Sequence, residues 1–260
     1  MMDELSKRTD LVDASIAKTE AQLKAEYVRI TKRLKNKLRL LYQEIEDDGD
    51  VLLSHLYQYN RYYDLLNLIQ TELGSLGGYE KKLLEENLVK LYQDNANIIN
   101  QYGNVFTPFL DKEKIKEVVN KNWGGRAKNW SDSIWSNTRE VAERIRQDMM
   151  DIITTGKSYK EIGAALANDM GVRYHQAERL IRTESARVAI QSSINTYSSI
   201  GIDKVRVITA HDDRVCSEKC EEHKGDIIPI KQIEVGVNVP PFHPNCRCDI
   251  VAVWEDDNNV

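Results

Sequence analysis

Residues 216–220, Cys-Ser-Glu-Lys-Cys, and residues 242–248, Phe-His-Pro-Asn-Cys-Arg-Cys, decide the fold that we expect for the C-terminal part of the chain. They hold all four cysteines and one of the five histidines of the 260-residue sequence. Cysteines at positions i and i+4 lie on one side of a helical turn, and cysteines at i and i+2 point to the same face of an extended segment. The connection between the two clusters is long enough to bring four sulfur atoms together. Because zinc favours thiolate and imidazole ligands, the pattern predicts a tetrahedral zinc site.

The predicted ligands are the four cysteines, with one histidine as a substitute: Cys216, Cys220, Cys246, Cys248 and His243. The first pair has the usual spacing of about two to four residues, whereas the second pair is closer than usual. His243 can replace a cysteine of the second pair that cannot reach the metal. Two alternatives stay open, namely two disulfide bonds and four reduced thiols packed as small apolar side chains. Nothing in the sequence indicates an oxidising compartment, which favours the metal over the disulfides.

The segment 202–260 is predicted to be a small β-rich module. Residues 204–209, 226–230 and 249–254 have the β-branched composition of strands. A module of about 50 residues buries little apolar surface and usually needs a cross-link to be stable. Structural zinc can supply about 10–16 kcal/mol of apparent binding free energy to folding, which is the physical reason to expect a metal here.

The rest of the chain is predicted to be helical. In residues 2–47 the apolar residues are mostly three, four or seven positions apart, which predicts one long helix with a narrow apolar stripe. Such a stripe suits a coiled-coil seam, a helix that lies against a partner or a hairpin within the chain. Glycines at 74–78 and Gly171 are predicted to interrupt the later helices. Those helices are expected at residues 51–73, 79–102, 111–121, 131–155, 158–169 and 174–199.

The expected fold class is therefore α+β and predominantly α. It comprises long N-terminal helices, a helical middle segment and a small C-terminal β-rich, metal-stapled module. We expect the corresponding regions to be residues 1–120 for helical docking, 121–201 for a helical core and 202–260 for the cysteine and histidine module.

Composition and charge limit the classes of function. The chain is 41% hydrophobic and 30% charged, with a net charge of −5, which argues against general coating of nucleic acid. No apolar run approaches the length that spans a bilayer, and the N-terminus does not resemble a secretion signal. One local basic run can contact DNA phosphates, or it is a solvated helix face or a patch for an acidic partner. Its residues include Lys32, Arg33, Lys35 and Lys37.

Three blocks of sequence stand in an order that resembles a known family. They are Ile181-Arg182-Thr183-Glu184 with Arg187, then Asp213-Arg214-Val215-Cys216, then residues 240–248 with the second cysteine cluster. An upstream stretch with Trp123-Gly124-Gly125 and residues 130–135 agrees with them. This ordered set is similar to the Mu F-like family of tailed-phage minor head proteins, also called head morphogenesis proteins, over roughly residues 120–254.

The resemblance implies a non-catalytic protein of the phage head. It implies a few copies at the portal vertex of the virion, after assembly in the host cytoplasm. The implied partners are the portal protein and also the major capsid or scaffolding protein and the packaged DNA. The implied roles are head morphogenesis and DNA packaging or delivery.

The resemblance also draws attention to three residues of one predicted helix. Glu184 and Arg187 are three positions apart and face each other, whereas Arg182 and Glu184 do not. As an exposed pair, Glu184 and Arg187 would contribute little to stability. If the helix packs on the C-terminal module, the pair can instead hold the turn at Asp213 and Arg214.

An enzyme is the alternative class of function. Acidic and histidine side chains near the thiols suggest a metal-dependent nuclease or a toxin-like hydrolase. A catalytic zinc keeps one open position, whereas four or five sulfur and imidazole ligands can close this site. The His-x-Glu and Pro-Cys-x-x-Cys pattern of zinc deaminases is missing, and no glycine-rich phosphate loop or nucleophile elbow is present. We therefore expect no enzymatic activity.

Overall fold

A computed structural model of the chain describes residues 2–47, 61–104, 111–125, 128–154, 159–210, 216 and 218–254. The predicted fold class is confirmed: this part of the chain is predominantly helical, with a small antiparallel sheet near the C-terminus. The helices are α1 (Met2–Asp47), α2 (Arg61–Gly103), α3 (Lys112–Asn120), α4 (Trp130–Thr154), α5 (Tyr159–Ser199) and the single-turn α6 (Lys219–Glu222). The strands are β1 (Lys204–Ile208), β2 (Ile227–Pro229) and β3 (Asp249–Val253), and a short 3-10 helix covers Ile230–Gln232. None of the described helices combines the length and apolar character that a bilayer crossing requires.

The chain divides into two compact units, each built from separate stretches of sequence. Unit 1 contains Met1–Glu20, Leu83–Ser131 and Glu178–Val260. Unit 2 contains Ala21–Lys82 and Asp132–Ala177.

The sheet of unit 1 has the strand order β2-β1-β3, and both pairings are antiparallel. Val205 of β1 lies opposite Ile228 of β2 and Ala252 of β3. These three residues belong to one buried cluster with the C-terminal end of α5 and with three of the cysteines. The cysteine clusters are therefore part of the core of this unit.

Buried polar contacts also hold the helices of unit 1 together. The Nδ2 atom of Asn95 in α2 donates to the carbonyl oxygen of Ala189 at 3.2 Å and to Oγ of Ser193 at 3.0 Å, both in α5. At the N-terminus, the buried guanidinium of Arg8 donates to the hydroxyl of Tyr197 and to the carboxylate of Asp249. Residues far apart in the sequence are thus joined by hydrogen bonds that satisfy buried polar groups.

The core of unit 2 contains the apolar stripe that the sequence predicts for the first helix. Its members are 0–4% exposed and include Leu23, Tyr27, Ile30, Leu34 and Leu38. A buried ion pair joins Arg173 to Glu80 with an N–O distance of 2.5 Å, and the hydroxyl of Tyr27 donates to the same carboxylate at 3.3 Å. The stripe is therefore buried within the chain, in agreement with the intramolecular alternative.

The predicted breaks at the glycines are wrong. Helix α2 continues through residues 74–78, and α5 continues through Gly171. A Cβ atom on Gly77 would lie 3.1 Å from both the ring of Trp135 and Oγ1 of Thr138, so glycine there permits a close approach instead of ending the helix. The predicted start of the second helix at residue 51 and the predicted helix start at Ser158 lie outside the described residues.

Candidate metal centre

The structure brings the two cysteine clusters together. Two groups of side chains have ligand atoms that all lie within 4.8 Å of one another: Cys216, Cys220 and His243, and Cys220, Cys246 and Cys248. Cys220 belongs to both groups and is fully buried. All four cysteines are free thiols, so the disulfide alternative is not present in this structure.

The donor set fits a structural zinc ion. In a tetrahedral site with Zn–S bonds of about 2.3 Å, the sulfur atoms are roughly 3.8 Å apart. The donor atoms of each group lie within 4.8 Å of one another, which is compatible with that distance. Five sulfur and imidazole donors are available for four positions. Bound zinc would cross-link the loop at residue 216, helix α6 and the second cluster, and the chemistry it would supply is structural.

His243 is already oriented as a ligand. Its Nδ1 atom lies 2.9 Å from the carbonyl oxygen of Pro244, and its Nε2 atom lies 3.2 Å from Sγ of Cys220. A carbonyl oxygen only accepts hydrogen bonds, so Nδ1 carries the proton and the lone pair of Nε2 points to the thiol group. This arrangement, with one ring nitrogen donating to a carbonyl oxygen, is the usual one for a histidine that binds a metal.

The neighbouring thiols of the cluster have pKa values that are shifted in opposite directions. A hydrogen bond from Cys248 lowers the pKa of Cys246 to about 5, and the same contact, together with burial, raises the pKa of Cys248. Burial raises the pKa of Cys220 to about 12. One thiolate, the form that binds zinc, is therefore stabilised within the cluster.

Thr183 anchors the second cluster to α5. Asn245, the residue before Cys246, has a left-handed backbone with φ 62°, a conformation that asparagine tolerates better than most residues. Its backbone amide donates to Oγ1 of Thr183 at 3.2 Å, and the amide of Cys246 donates to the carbonyl oxygen of His243 at 3.2 Å. These two hydrogen bonds fix the turn that presents the cysteines.

Glu184 and Arg187 form a buried ion pair, with 2.7 Å between Oε2 of Glu184 and Nε of Arg187. Their side chains are 2% and 3% exposed. The small contribution to stability that is expected of an exposed ion pair therefore does not apply to this pair. The other carboxylate oxygen of Glu184 accepts a hydrogen bond from the indole of Trp123 at 3.1 Å. Arg187 also donates to the carbonyl oxygens of Val118 and Val119 at the end of α3. The pair therefore connects α5 to α3 and to the loop that follows it.

The remaining residues of the predicted motif have different outcomes. Arg182 forms an ion pair with Glu20 of α1 at 2.6 Å. Asp213 and Arg214 lie outside the described residues, so their predicted contact with Glu184 and Arg187 stays a prediction. His223 is in neither donor group; its ring stacks on Phe242 with a centroid distance of 5.0 Å.

The basic run predicted to contact nucleic acid lies on α1 in unit 2. Lys32, Lys35 and Lys37 are exposed. Arg33 is also exposed, but it pairs with the buried Glu72 at 3.0 Å. The run therefore presents lysine ammonium groups to solvent, and contact with DNA stays a prediction.

Two buried arginines were missed by sequence reasoning. Arg8 and Arg173 are among the largest fully buried side chains. Basic residues usually lie on the polar face of an amphipathic helix, so their position in the sequence did not indicate burial. Their acidic partners Asp249 and Glu80 are distant in the sequence, and no local pattern connects them.

Comparison with protein families gives a match to a segment that holds both cysteine clusters. Residues 143–251 match the family model described as Phage Mu protein F like protein. This segment of 109 residues is similar to the Mu F-like family of phage head proteins. The Mu F-like segment contains the anchoring residues of α5 and both cysteine clusters, and it ends within β3. No match to a curated protein or to a solved structure accompanies it.

Proposed function

We propose that the chain is a structural minor head protein of a tailed phage. In this proposal it binds the portal protein, in several copies around the portal vertex, and takes part in head morphogenesis and in DNA packaging or delivery. The observation that carries the proposal is the Mu F-like match over residues 143–251. The matched segment contains the buried residues that build the C-terminal module, so the similarity covers the part of the chain that the site requires.

The proposed role of the C-terminal module is to be a rigid support that zinc stabilises. Cys220, Cys246 and Cys248 would provide three thiolates, and Cys216 or His243 would complete the tetrahedron. Four protein ligands leave no position for a substrate or an activated water molecule. For this reason we assign the metal to folding and assign no enzymatic activity to the chain.

The proposed role of the helices is to dock on other head proteins. Exposed apolar side chains on the two long N-terminal helices support this role: Val28 and Leu40 of α1, and Tyr63 and Tyr79 of α2. We retain residues 1–120 as the docking region, 121–201 as the helical core of the family and 202–260 as the zinc-stapled module. The portal is the proposed partner of the docking region, with the major capsid or scaffolding protein and the packaged DNA as further partners.

Localisation in the particle tests this function. An affinity tag would be placed after residue 260, particles would be purified from infected cells, and the tag would be labelled with gold for electron microscopy. We expect a label at one vertex of the head and co-purification of the portal protein. A chain that is absent from particles, or spread over the whole shell, would contradict the proposal. Nuclease activity that zinc restores to a fully folded apo protein would support the enzymatic alternative.

A further inference from the structure

Unit 2 contains a groove between residues 24–36 of α1 and residues 167–174 of α5. Its volume is about 560 Å³. Tyr27 and Met170 form a buried apolar floor, whereas Val28 at the edge is 60% exposed. The groove therefore presents an apolar surface that solvent can reach.

Small residues of α5 keep the groove open. Ala167 and Gly171 are four positions apart, and both line it. A Cβ atom on Gly171 would meet no heavy atom within 4 Å, and the backbone there is helical. The space above Gly171 is therefore large enough for a side chain from another molecule.

The rim of the groove is positively charged. Lys24, Lys32 and Lys35 line it from α1, and all three are exposed. Among the described residues that line the groove, none carries a carboxylate. An apolar floor below three ammonium groups is complementary to an apolar surface that is flanked by negative charge.

We propose that this groove binds an amphipathic helix of a partner protein that carries carboxylates beside its apolar face. A groove between two helices accepts the apolar face of a third helix, through side chains spaced at i, i+3, i+4 and i+7. DNA would use the lysines through its phosphates, but the apolar floor would add nothing to that contact, so the groove favours the helix. The proposed function does not specify this ligand. The chemistry of the groove defines it, whichever protein supplies the helix.

Binding would be measured with the full chain and three fluorescein-labelled peptides. Each peptide would repeat leucine at i, i+3, i+4 and i+7 with glutamate at the flanking positions, and the three would differ in the length of the leucine stripe. A scrambled peptide of the same composition is the control. We expect saturable binding by fluorescence anisotropy for at least one patterned peptide, and weaker binding at higher salt because the rim is exposed.

A substitution that fills the groove tests whether the peptide binds there and not elsewhere on the molecule. Gly171→Leu should weaken binding at least about tenfold, with a melting temperature equal to or above that of the parent, since leucine has a higher helix propensity than glycine. Gly78→Leu is the matched control, because Gly78 is a helical glycine of the same unit whose Cβ position is also open. Its binding should equal that of the parent.

Reversing the charge of the rim tests the second element of the groove. Lys32→Glu combined with Lys35→Glu should also weaken binding at least about tenfold. Lys81→Glu combined with Lys82→Glu makes the same charge change at exposed positions of unit 2 outside the groove, and it should have little effect.

Four results would overturn the inference. They are no binding of any patterned peptide at up to about 1 mM, equal binding of the scrambled peptide, unchanged binding by the Gly171→Leu variant, and equal loss in both charge-reversal variants. A 20-base-pair DNA duplex would be titrated in parallel. Binding of the duplex in place of the peptides, lost on charge reversal at Lys32 and Lys35 but kept in Gly171→Leu, would assign this face to nucleic acid.

Discussion

The backbone amide of Asn245 donates a hydrogen bond to Oγ1 of Thr183, with an N–O distance of 3.2 Å. This contact joins the turn of the second cysteine cluster to α5, across 62 positions of the sequence. The hydroxyl of Thr183 itself donates to the carbonyl oxygen of Arg179 one helical turn earlier, so both hydrogen-bonding functions of this side chain are used. One threonine of the Mu F-like segment therefore fixes the position of the thiols relative to the helix.

Thr183→Val should destabilise the protein by about 1–3 kcal/mol, because valine keeps the shape but leaves the amide of Asn245 without its acceptor. Thr196→Val is the control: Thr196 lies in the same helix, is buried and donates to the carbonyl oxygen of Ser192 in the same way. Urea unfolding measures both variants. An equal loss in the two would show that the contact with Asn245 contributes nothing.

Glu184→Gln should cost about 3–5 kcal/mol, since it leaves the guanidinium of Arg187 buried without a counter-charge. The glutamine oxygen can still accept from the indole of Trp123, but the amide nitrogen then faces Nε of Arg187. The change therefore removes both the negative charge and the acceptor of Arg187. Lys90→Ala is the control, because the ion pair of Lys90 with Asp94 is exposed and should contribute little. Chemical unfolding of both variants would decide, and equal effects would argue against an important role for the buried pair.

Zinc should bind at one ion per chain and stabilise the fold. At free zinc about a thousandfold above the dissociation constant, binding adds about 4 kcal/mol. For a domain of this size that raises the melting temperature by about 8–16 °C. Elemental analysis and thermal scans with and without a chelator measure both quantities. Equal melting temperatures with and without zinc, or two disulfides in the purified protein, would contradict the metal site.

Single substitutions should identify the ligands. Cys220→Ser should strongly weaken zinc binding, since this residue belongs to both donor groups, whereas His223→Asn should retain it because His223 is in neither. Cobalt spectra of Cys216→Ser and His243→Asn would show which of the two provides the fourth ligand. A cobalt spectrum that neither substitution changes would exclude both as ligands.

Local patterns predict most of this fold, and contacts between distant residues account for what they miss. The stripe of α1 is visible because its spacing repeats within one helix. The predicted breaks fail because a glycine costs a helix only about 1 kcal/mol, whereas its packing against Trp135 depends on a residue 58 positions away from Gly77.

The candidate site follows the same rule. The spacing of the cysteines indicates the metal donors, because the two cysteines of each pair are only a few residues apart in the sequence. The hydrogen bond between Thr183 and Asn245 and the position of Trp123 beside Glu184 require the folded chain. The resemblance to the Mu F-like family drew attention to Thr183 and Glu184, but only the structure shows what they contact.

Asp169 in unit 2 should make the fold less stable as the pH rises. A carboxylate that is ion-paired in the folded state has the opposite effect. It is 2% exposed; burial and the nearby carboxylate of Asp148 raise its pKa from 3.8 to about 6, although Arg144 opposes the shift. Because the folded state holds this proton more tightly than the unfolded state, the group stabilises the fold most below about pH 4, and that contribution is lost as the pH rises to about 6. The cost of ionisation at neutral pH is on the order of 2–3 kcal/mol.

Asp169→Asn should therefore raise the free energy of unfolding at pH 7.5 and have little effect near pH 4, since an amide can donate to Asp148 without carrying charge. Asp94→Asn is the control, because Asp94 is partly exposed and paired with Lys90. Urea unfolding between pH 4 and pH 7.5 measures the difference between parent and variant, so the titration of all other groups cancels. A difference that does not grow between pH 4 and pH 6 would show that folding does not raise the pKa of Asp169 and that its burial carries no such cost.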